Sequence, residues 1–480
     1  MTAGTIDQGR AERLARLRAA LPGHVERLGW DGPTLARWQR DRLRGLLATA
    51  VRRSPWHARR LAGVDPARLE PADLPGLPVM TKAELMAAFD EIVTDRRLTG
   101  ARVEAHLAAT GPDAAELPGG HVVLASGGSS GERGVFVYDR FAAIDYTLGL
   151  TRAGLARLMA AGPLPPGGMP MATVAAGSAV HASRALASLF GGDPLAVTSV
   201  PVTLPLPRIV ERLNQLRPVL LTGYPSVLSL LAGERAAGRL RIAPRAITAH
   251  SEQLTAEARA AVEDAFGVPV ADQFGSSEGL VGVSAPGDRV IVLAGDLAIA
   301  ELVDERDRPV PAGTPSARVL VTSLISRAQP LIRYALDDRF VAEPPDPRHG
   351  HPRVTVEGRA ADLLRFPVPG RGEVVVHPLV VRAVMVTAPE VLEYQVRQTA
   401  SGLDVRVLAP GGTDEAALTG RLAIALAGAG LPAPGGPRAP GRRDRPAPAD
   451  RQGGPFRATA ARLTPAPVSR PAPSAARRRP

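Results

Sequence analysis

The chain contains no cysteine, which excludes disulfide bonds, thiolate zinc sites, iron–sulfur clusters and cysteine nucleophiles. It contains one lysine, Lys82, so almost all of its positive charge comes from arginine. Its nine histidines are scattered without the spacing of metal ligands. With 480 residues, of which 45% are hydrophobic, the chain is nevertheless long enough to bury one large core or two to three domains.

The sequence also lacks an apolar run that suits a membrane helix. The longest uncharged run, residues 158–180, contains four prolines and four glycines. The amino terminus is charged from Asp7 and Arg10 onward and has no apolar core of the signal-peptide type. We therefore expect a cytoplasmic protein without a membrane partner.

Positive charge is concentrated at one end of the chain. The formal net charge is +11, but residues 431–480 hold eleven arginines and two aspartates, which leaves +2 for residues 1–430. This basic tail contains one phenylalanine, and the rest of the chain shows no nucleic-acid recognition module. Nucleic acid is therefore not an expected partner.

Apolar spacing predicts a helical start followed by an α/β body. Apolar residues at three- and four-residue spacing predict helices at 10–21 and 33–53, and Thr81 has the position of an N-cap for a short helix. From about residue 120, apolar runs alternate with helical segments, as in α/β folds. The predicted strands lie at 121–125, 173–176, 195–200, 219–222, 246–249 and 268–271, and the predicted helices at 141–159, 182–189, 206–216, 226–237 and 255–266.

The same pattern predicts the domain boundaries. Residues 1–355 are expected to form a large α/β domain whose first hundred residues are mainly helical, and residues 356–430 a small α+β domain. Residues 431–480 contain twelve prolines and almost no large apolar side chain, so we expect a disordered tail.

A serine- and glycine-rich segment lies between two apolar runs. It consists of Ser126, Gly127, Gly128, Ser129, Ser130 and Gly131. Backbone N–H groups and hydroxyls in such a loop can bind a polyanion. No Gly-Lys-Ser/Thr follows, so it is not a Walker loop, and a plain hairpin turn would have the same composition.

A second segment, residues 273–278, follows a predicted strand. It reads Gln273, Phe274, Gly275, Ser276, Ser277 and Glu278. Its aromatic ring could stack on a purine, its hydroxyls could bind phosphate, and its carboxylate could bind Mg²⁺. A strand-to-loop turn with a solvated glutamate is the alternative.

Two further segments combine arginine and carboxylates. Residues 330–338 include Arg333 and Asp338, and residues 357–362 include Arg359. A carboxylate beside a strand can hold ribose hydroxyls, and an arginine at a domain junction can hold a phosphate. Each segment alone is also typical of solvated surface.

In this order and spacing, the four segments resemble the adenylate-forming superfamily of acyl- and aryl-CoA synthetases. Within it they resemble the phenylacetate-CoA ligase-like branch, which includes the deazaflavin-coenzyme adenylyl ligases. Residues 126–134 are similar to the superfamily's T-S-G-T-T-G-K-P phosphate loop, 274–278 to Y-G-S-T-E, and 333–338 to R-Y-x-x-G-D. The resemblance covers about residues 35–430.

Shorter segments add to the resemblance. Residues 223–226 are similar to the branch's G-Y-P-S segment, and residues 248–255 to its adenine-side G-A-E-x-L-T turn. Near the amino terminus, residues 54–57 look like S-P-F-Y and residues 77–82 like L-P-x-x-T-K.

The resemblance implies an ATP- and Mg²⁺-dependent enzyme. It makes Glu278 the magnesium ligand, Phe274 the ring that packs on adenine and Asp338 the ribose ligand. It places His181 where the family often has an acyl-pocket histidine, although a lone histidine is more often structural. The implied catalytic residues are Glu278, Arg359 and His181; the implied nucleotide-binding residues are Ser126, Gly127, Gly128, Ser129, Ser130, Gly131, Ser251, Glu252, Gln273, Phe274, Gly275, Ser276, Ser277, Arg333 and Asp338; and the implied substrate contacts are Tyr224 and His181.

The chain departs from the family at its carboxyl-terminal part. Ala361 occupies the position of the hinge aspartate in G-R-x-D-D, and Glu132 and Arg133 replace the usual Lys and Pro of the phosphate loop. The family's carboxyl-terminal domain supplies a lysine for adenylation, whereas no lysine follows Lys82 in this chain. Alignment of residues 453–457 with the family's G-K-x-R segment places Pro455 at the lysine position. An arginine would supply charge without the compact ammonium geometry.

The leading hypothesis is ATP-dependent activation of a carboxylic acid, preferably an aryl acid, to an acyl-adenylate, with coenzyme A as a candidate second substrate. The first alternative is adenylyl transfer to a phenolic or hydroxyl acceptor. The second is a nucleotide- or acyl-binding protein whose catalysis is impaired by the missing lysine. The expected partners are the acid and coenzyme A or another acceptor, and a homodimer is allowed.

Overall fold

The computed structural model describes a large part of the chain, in two compact units that comprise Met1–Ala361 and Asp362–Pro480. The described residues are 3–109, 116, 117, 119–126, 134–160, 162, 170–175, 197–201, 204, 206–359, 364–368, 372–376, 381, 384, 385, 388, 391, 393–399, 402–409, 412–428, 431 and 459–463. Among them, no helix is both long and apolar enough to span a membrane.

Helices form the start of the large unit. They are α1 (Ala3–Glu26), α2 (Gly32–Arg53), α3 (Pro55–Arg60), α4 (Lys82–Ala87), α5 (Phe89–Ile92) and α6 (Gly100–Ala109). Ser54 ends α2 and caps α3, since its hydroxyl accepts the amide of His57 at 3.3 Å. Thr81 and Glu84 form a capping box at α4, which confirms the predicted cap.

A nine-stranded mixed sheet forms the body of this unit. Its strands are β3 (Met171–Ala175), β4 (Val197–Pro201), β5 (Leu220–Gly223), β6 (Ala246–His250), β7 (Val270–Gly275), β8 (Val281–Ser284), β9 (Ile291–Leu293), β13 (Asp338–Ala342) and β14 (Arg353–Arg359). Their spatial order is β13-β14-β9-β8-β7-β6-β5-β3-β4. The strands from β4 to β7 are parallel, and β8 runs antiparallel to β7.

Helices connect the parallel strands, as the alternating pattern predicts. α7 (Arg140–Ala160) precedes β3, and α8 (Leu206–Leu216), α9 (Pro225–Ala236) and α10 (Ala256–Phe266) lie between successive parallel strands. The predicted strands are present with ends within two residues, except that β7 continues to Gly275 and so includes part of the second segment. The predicted helix at 182–189 lies outside the described residues.

Two smaller sheets complete the large unit. A hairpin of β1 (Val122–Ser126) and β2 (Gly134–Tyr138) flanks the serine- and glycine-rich loop. A three-stranded antiparallel sheet contains β10 (Ala298–Val303), β11 (Arg318–Ser323) and β12 (Tyr334–Leu336). Met80 joins β12 through a parallel bridge to Tyr334, which attaches the amino-terminal helical segment to this sheet.

The second unit is a small α+β body, as predicted. It contains β15 (Leu364–Val368), β16 (Gly372–Val376), β17 (Glu393–Thr399), β18 (Gly402–Leu408), α11 (Glu415–Gly428) and β19 (Thr459–Leu463). Leu403, Val405 and Leu422 are buried in one hydrophobic cluster.

One short stretch of the tail departs from the predicted disorder. Residues 459–463 pair antiparallel with β18, where Leu463 lies opposite Leu403. Their sequence, Thr-Ala-Ala-Arg-Leu, contains no proline or glycine, so it can extend a free strand edge in a region that is otherwise rich in proline. Apart from Leu431, the other tail residues lie outside the described part of the chain.

Candidate nucleotide- and acid-binding site

Several predicted site residues meet at one edge of the large sheet. The parallel strands β5, β6 and β7 end at Gly223, His250 and Gly275. Ligands of open α/β sheets bind outside the carboxyl ends of parallel strands. Tyr224 directly follows β5 and Glu278 lies three residues after the end of β7, so the topology gathers segments that are far apart in the sequence.

Glu278 lies in a tight turn between β7 and β8. The amide of Gly279 donates to the carbonyl of Ser276 at 3.1 Å, and the amide of Ser276 donates to the carbonyl of Leu280 at 2.9 Å. Gly279 has φ +101°, a conformation that favours glycine, and a Cβ there would lie 3.2 Å from the hydroxyl of Tyr138. Glu278 is 6% exposed, so the alternative of a solvated glutamate is wrong.

Two buried tyrosines hold the backbone that precedes Glu278. The hydroxyl of Tyr138 donates to the carbonyl of Ser277 at 2.7 Å, and that of Tyr146 donates to the carbonyl of Ser276 at 2.9 Å. Burial raises the pKa of both phenols, and the negative charge of Glu278 raises each pKa further. Both tyrosines therefore stay neutral donors at physiological pH.

A magnesium ion fits the chemistry of this turn. Mg²⁺ is commonly held by one or two carboxylates together with substrate phosphates and water, and Glu278 supplies one buried carboxylate. No group of three or more metal-ligating side chains is found within the described residues. The described residues thus offer no closed metal cage, whereas a nucleotide-assisted site is compatible with them.

Phe274 and Gln273 lie on β7 rather than in a loop. The ring of Phe274 packs edge to face on Phe340, with ring centroids 5.0 Å apart. It is half-buried, and Gly275 beside it is exposed. A Cβ at Gly275 would lie 3.0 Å from a methyl group of Leu150, so glycine keeps this strand end close to α7. Stacking of Phe274 on adenine stays a prediction.

A second group of polar side chains surrounds the end of β6. The rings of Tyr224 and His250 meet edge to face at 5.5 Å. The hydroxyl of Ser251 lies 3.0 Å from Nδ1 of His250, and Ser251 has φ +65°, which is uncommon for a residue with a side chain. Burial lowers the pKa of His250 to about 4, so its imidazole is neutral near pH 7.

Glu252 contacts the amino terminus of α9. Its carboxylate accepts the amide of Ser226 at 3.2 Å and the hydroxyl of Ser226 at 3.1 Å. A carboxylate is favourable at a helix amino terminus because it meets unpaired N–H groups and the positive end of the helix dipole. These contacts fix the β6 turn against the G-Y-P-S segment, and contact of Glu252 with a nucleotide stays a prediction.

Asp338 and Arg359 lie opposite each other in one antiparallel pair. Asp338 begins β13, Arg359 ends β14, and their Cα atoms are partners in the register. Asp338 is 5% exposed. The structure therefore brings together two predicted site residues that are separated by 20 positions in the sequence.

Arg333 is the predicted nucleotide residue whose placement differs most from expectation. Its guanidinium contacts Glu301 with distances of 3.0 and 3.1 Å, and it also donates to the carbonyls of Pro75 and Leu77. Arg333 is 2% exposed, and its amide donates to the hydroxyl of Thr322. The motif gives the position of an arginine but not the direction of its side chain, so we assign Arg333 to holding the fold and omit it from the nucleotide site.

Other predicted residues cannot be placed. Gly127, Gly128, Ser129, Ser130, Gly131 and His181 lie outside the described residues, as do Ala361 and Pro455. The backbone of Ser126 pairs with Gly134, so residues 127–133 connect the two strands of the hairpin.

Sequence reasoning missed three buried polar residues of this region. The sequence pattern does not single out Tyr138, Tyr146 or His250, because tyrosine and histidine are common in apolar segments. The signal was positional: Tyr138 closes the strand after the serine- and glycine-rich loop, and His250 closes β6 within the G-A-E-like segment.

Comparison with solved structures identifies the fold. No protein-family model matches the chain. No curated protein matches it either. A crystal structure of 2-hydroxyisobutyryl-CoA ligase in the postadenylation state, in complex with 2-HIB-AMP, matches with a TM-score of 0.55 and 19% identity over 83% of this chain and 85% of that chain.

The same enzyme in the thioesterification state, in complex with 2-HIB-AMP and CoA, gives a TM-score of 0.52 at 19% identity, over 83% of this chain and 86% of that chain. The anthranilate CoA ligase AuaEII in complex with anthranoyl-AMP matches over 64% of this chain and 60% of that chain, with a TM-score of 0.40 and 16% identity. The matches with TM-scores of 0.52 and 0.55 show that this chain shares the fold of 2-hydroxyisobutyryl-CoA ligase.

Proposed function

We propose that this protein is an AMP-forming ligase that activates a carboxylic acid with ATP and then transfers the acyl group to coenzyme A. The observation that supports this most directly is the buried Glu278 turn at the carboxyl edge of the parallel strands, within a fold shared with an acid-CoA ligase. The motif order predicts this site, and the sheet brings its segments to one edge.

In the proposed site, Mg²⁺ bound by Glu278 and the nucleotide would neutralise phosphate charge while pyrophosphate leaves. The loop at 127–131 would hold the leaving phosphates through its amides and hydroxyls, as preorganised donors do elsewhere. Asp338 would accept hydrogen bonds from the ribose hydroxyls, and Phe274 would contact adenine. The acid carboxylate would then attack the α-phosphorus, forming the acyl–phosphate bond as the bond to pyrophosphate breaks.

The acid would bind next to the nucleotide. Tyr224 and His181 are the proposed substrate contacts, and Glu278, Arg359 and His181 are the proposed catalytic residues. On the sequence segments quoted above, we place the chain in the phenylacetate-CoA ligase-like branch, with an aryl acid as the first candidate substrate. We expect it to act in the cytoplasm, where ATP and coenzyme A are available.

The test is a screen of pyrophosphate release over aryl and alkyl acids, with and without coenzyme A. An active acid should release pyrophosphate in the presence of Mg²⁺ and yield a thioester when coenzyme A is added. The Glu278→Gln variant should lose this activity, whereas Glu305→Gln, which changes an exposed carboxylate, should keep it. Pyrophosphate release with a phenol and no acid would instead favour adenylyl transfer to a hydroxyl acceptor.

The absence of any lysine after Lys82 favours a second candidate. A chain without the family's adenylation lysine could bind ATP and acid but turn them over slowly, since one positioned charge is worth about 3–4 kcal/mol in the transition state. ATP binding without pyrophosphate release for any acid would support this binding protein. No ATP binding at all would contradict both candidates.

A further inference from the structure

Tyr334 is a buried tyrosine whose hydroxyl has no hydrogen-bond partner within the described residues. It begins β12, is 0% exposed, and packs its ring edge to face on Phe136 with ring centroids 5.9 Å apart. A buried phenol usually finds a partner, and a buried hydroxyl without one costs free energy. This hydroxyl therefore requires an explanation beyond the fold of the free chain.

Neighbouring backbone on both sides fixes the position of Tyr334. On one side it pairs with Val321 of β11, and on the other it forms the parallel bridge to Met80. The amide of Ala335 donates to the carbonyl of Met80 at 2.9 Å. Because both edges of β12 are occupied, the strand cannot rotate to bring the hydroxyl to an acceptor of the protein.

The ring that packs on Tyr334 is fixed as well. Phe136 lies in β2, and the buried side-chain amide of Gln329 bonds to the backbone on both sides of it. Its Oε1 accepts the amide of Val137 at 2.8 Å, and its Nε2 donates to the carbonyl of Val135 at 3.1 Å. The edge-to-face contact thus joins two anchored strands.

The face of β11 and β12 that carries the Tyr334 ring lies against the Glu278 turn. The side chains of Val321 and Ser323 emerge on one face of β11, and Tyr334 shares that face as the partner of Val321. The hydroxyl of Ser323 lies 3.4 Å from the position that a Cβ of Gly279 would take. This face therefore meets the residue directly after Glu278.

A second neighbour of Tyr334 leads to the same turn. Phe136 and Tyr138 are two positions apart in β2, so their side chains share one face of the strand. Tyr138 donates to the carbonyl of Ser277, the residue directly before Glu278. Tyr334 thus packs on the face of β2 that holds this turn.

The charge of Glu278 acts on the Tyr334 phenol. Burial raises the pKa of Tyr334, and the negative charges of Glu278 and Asp337 raise this pKa further, so the hydroxyl stays a neutral donor at physiological pH. The phenols of Tyr138 and Tyr146 also feel Glu278, and both donate to backbone carbonyls. The phenol of Tyr334 differs from them in having no acceptor in the described part of the chain.

We infer that the Tyr334 hydroxyl donates a hydrogen bond to a phosphate oxygen of the nucleotide that binds at Glu278. This inference rests on the proposed function, because it requires the nucleotide phosphates to lie beside this carboxylate. Mg²⁺ is commonly held by a carboxylate together with substrate phosphates, which brings such oxygens to Glu278. Hydrogen bonds to charged oxygens are shorter and stronger than neutral ones, so nucleotide binding supplies the acceptor that the free chain lacks.

The first measurement compares the stability of Tyr334→Phe and Tyr146→Phe without nucleotide. Each substitution removes one hydroxyl and keeps the ring. Tyr334→Phe should have a denaturant midpoint at or above that of the wild type, because it removes a polar group without a partner. Tyr146→Phe should have a lower midpoint, because it leaves the carbonyl of Ser276 without its donor.

A lower midpoint for Tyr334→Phe, or failure of this variant to fold, would overturn the inference. Either result would show that the free chain already satisfies the hydroxyl, for example through an internal water molecule.

The second measurement is the affinity for ATP with Mg²⁺ and for adenosine, obtained by calorimetry. Tyr334→Phe should weaken ATP binding about 10- to 100-fold, the range for one hydrogen bond to a charged group, and leave adenosine binding unchanged. The control is Tyr394→Phe, which removes the hydroxyl of a tyrosine that is 38% exposed in the second unit and should bind both ligands like the wild type. Unchanged ATP affinity in Tyr334→Phe, or an equal loss for adenosine, would contradict a bond to phosphate.

These outcomes are distinct from a failure of the proposed function. Nucleotide binding needs no acid and no turnover, so a slow enzyme can still be measured. A wild-type chain that binds no ATP would contradict the proposed function itself. A wild-type chain that binds ATP no more tightly than Tyr334→Phe would contradict only the role of this hydroxyl.

Discussion

Two buried carboxylates of the large unit, Asp296 and Glu278, are surrounded in different ways. Asp296 contacts Arg152 through two hydrogen bonds of 2.5 and 2.7 Å, and Arg27 lies 3.6 Å away. Beside Glu278, by contrast, the hydroxyls of Tyr138 and Tyr146 donate to backbone carbonyls of the turn. At Asp296, arginines contact the carboxylate itself, and at Glu278 two tyrosines fix the backbone that carries the carboxylate.

This difference separates a structural carboxylate from a candidate ligand-binding one. Arg152 also donates to the carbonyl of His24, and Trp38 donates to the carbonyl of Asp296, so the ion pair attaches the amino-terminal helices to the sheet region. Burial alone does not distinguish the two carboxylates, because both are less than 10% exposed. The two carboxylates differ in what their neighbours bind: Arg152 binds the carboxylate of Asp296, and the two tyrosines bind the backbone beside Glu278.

The largest effect should follow from breaking the ion pair. Arg152→Met leaves Asp296 buried with Arg27 as a more distant cation, so we expect a loss of about 3–5 kcal/mol in the free energy of unfolding. Denaturant unfolding measures it. The double variant Arg152→Met/Asp296→Asn should recover part of the loss, since it removes the uncompensated charge. A single variant as stable as the wild type would show that the pair is not structural.

Glu278→Gln should reduce activity more than it reduces the free energy of unfolding. Because Gln keeps the shape of Glu278 and removes only its charge, the free energy of unfolding should change less than in Arg152→Met. Pyrophosphate release at limiting Mg²⁺ should fall roughly 100-fold, as expected when one charged group of a transition-state site is removed. A strong loss of stability with unchanged Mg²⁺ dependence would place Glu278 with Asp296 among the structural carboxylates.

Buried His57 should make the stability of the fold depend on pH. It lies 3.0 Å from the carbonyl of Pro330, and burial lowers its pKa to about 4. The unfolded chain, with a histidine pKa near 6.5, binds more protons between pH 6.5 and 4, so stability should fall as the pH is lowered through this window. Between pH 6.5 and pH 4, we expect the free energy of unfolding of His57→Gln to fall by roughly 2 kcal/mol less than that of the wild type.

Other groups also titrate at acidic pH and are shared by both proteins. His250, with a pKa of about 4, acts in the same direction, whereas burial raises the pKa of Asp272 to about 6, which favours the folded state as the pH falls. The difference between the His57→Gln variant and the wild type isolates His57. Parallel stability curves from pH 7 to pH 4 would contradict the expected shift.

The smallest effect should concern the nucleotide sugar. Asp338→Ala removes the proposed ribose ligand, so ATP affinity should fall about 10-fold while affinity for the 2′,3′-dideoxy analogue should be nearly unchanged. Competition binding with both nucleotides measures the ratio. An equal loss for the two nucleotides would mean that Asp338 acts on the fold of the β13–β14 pair and not on the sugar.

The sequence predicted the fold well where local pattern and tertiary structure agree. Alternating apolar runs located the parallel strands, and Thr81 was correctly identified as a cap. The motifs also selected Glu278 and Asp338, which the structure buries. They failed for Arg333, because a motif gives the position of an arginine but not the partner, Glu301, that its guanidinium meets across the sheet.

The contacts of Tyr138 and Gln329 could not be predicted for the same reason. Each bond joins residues more than 100 positions apart, and a hydroxyl or amide that binds a backbone carbonyl leaves no complementary residue in the sequence to reveal it. Side chains that pair with other side chains, or that repeat with the period of a helix or strand, leave such a trace. Those that bind backbone do not.

The bridge between Met80 and Tyr334 has a consequence for biosynthesis. The amide of Met80 donates to the carbonyl of Arg333, and nearby Thr94 donates to the carbonyl of Ala328. The ribosome must therefore add about 240 further residues before the amino-terminal helices can reach these partners. At roughly 5–20 residues per second, this takes on the order of 10–50 s. During that time the apolar faces of the helices lack their final neighbours, so this amino-terminal segment is where a nascent chain would most need a chaperone.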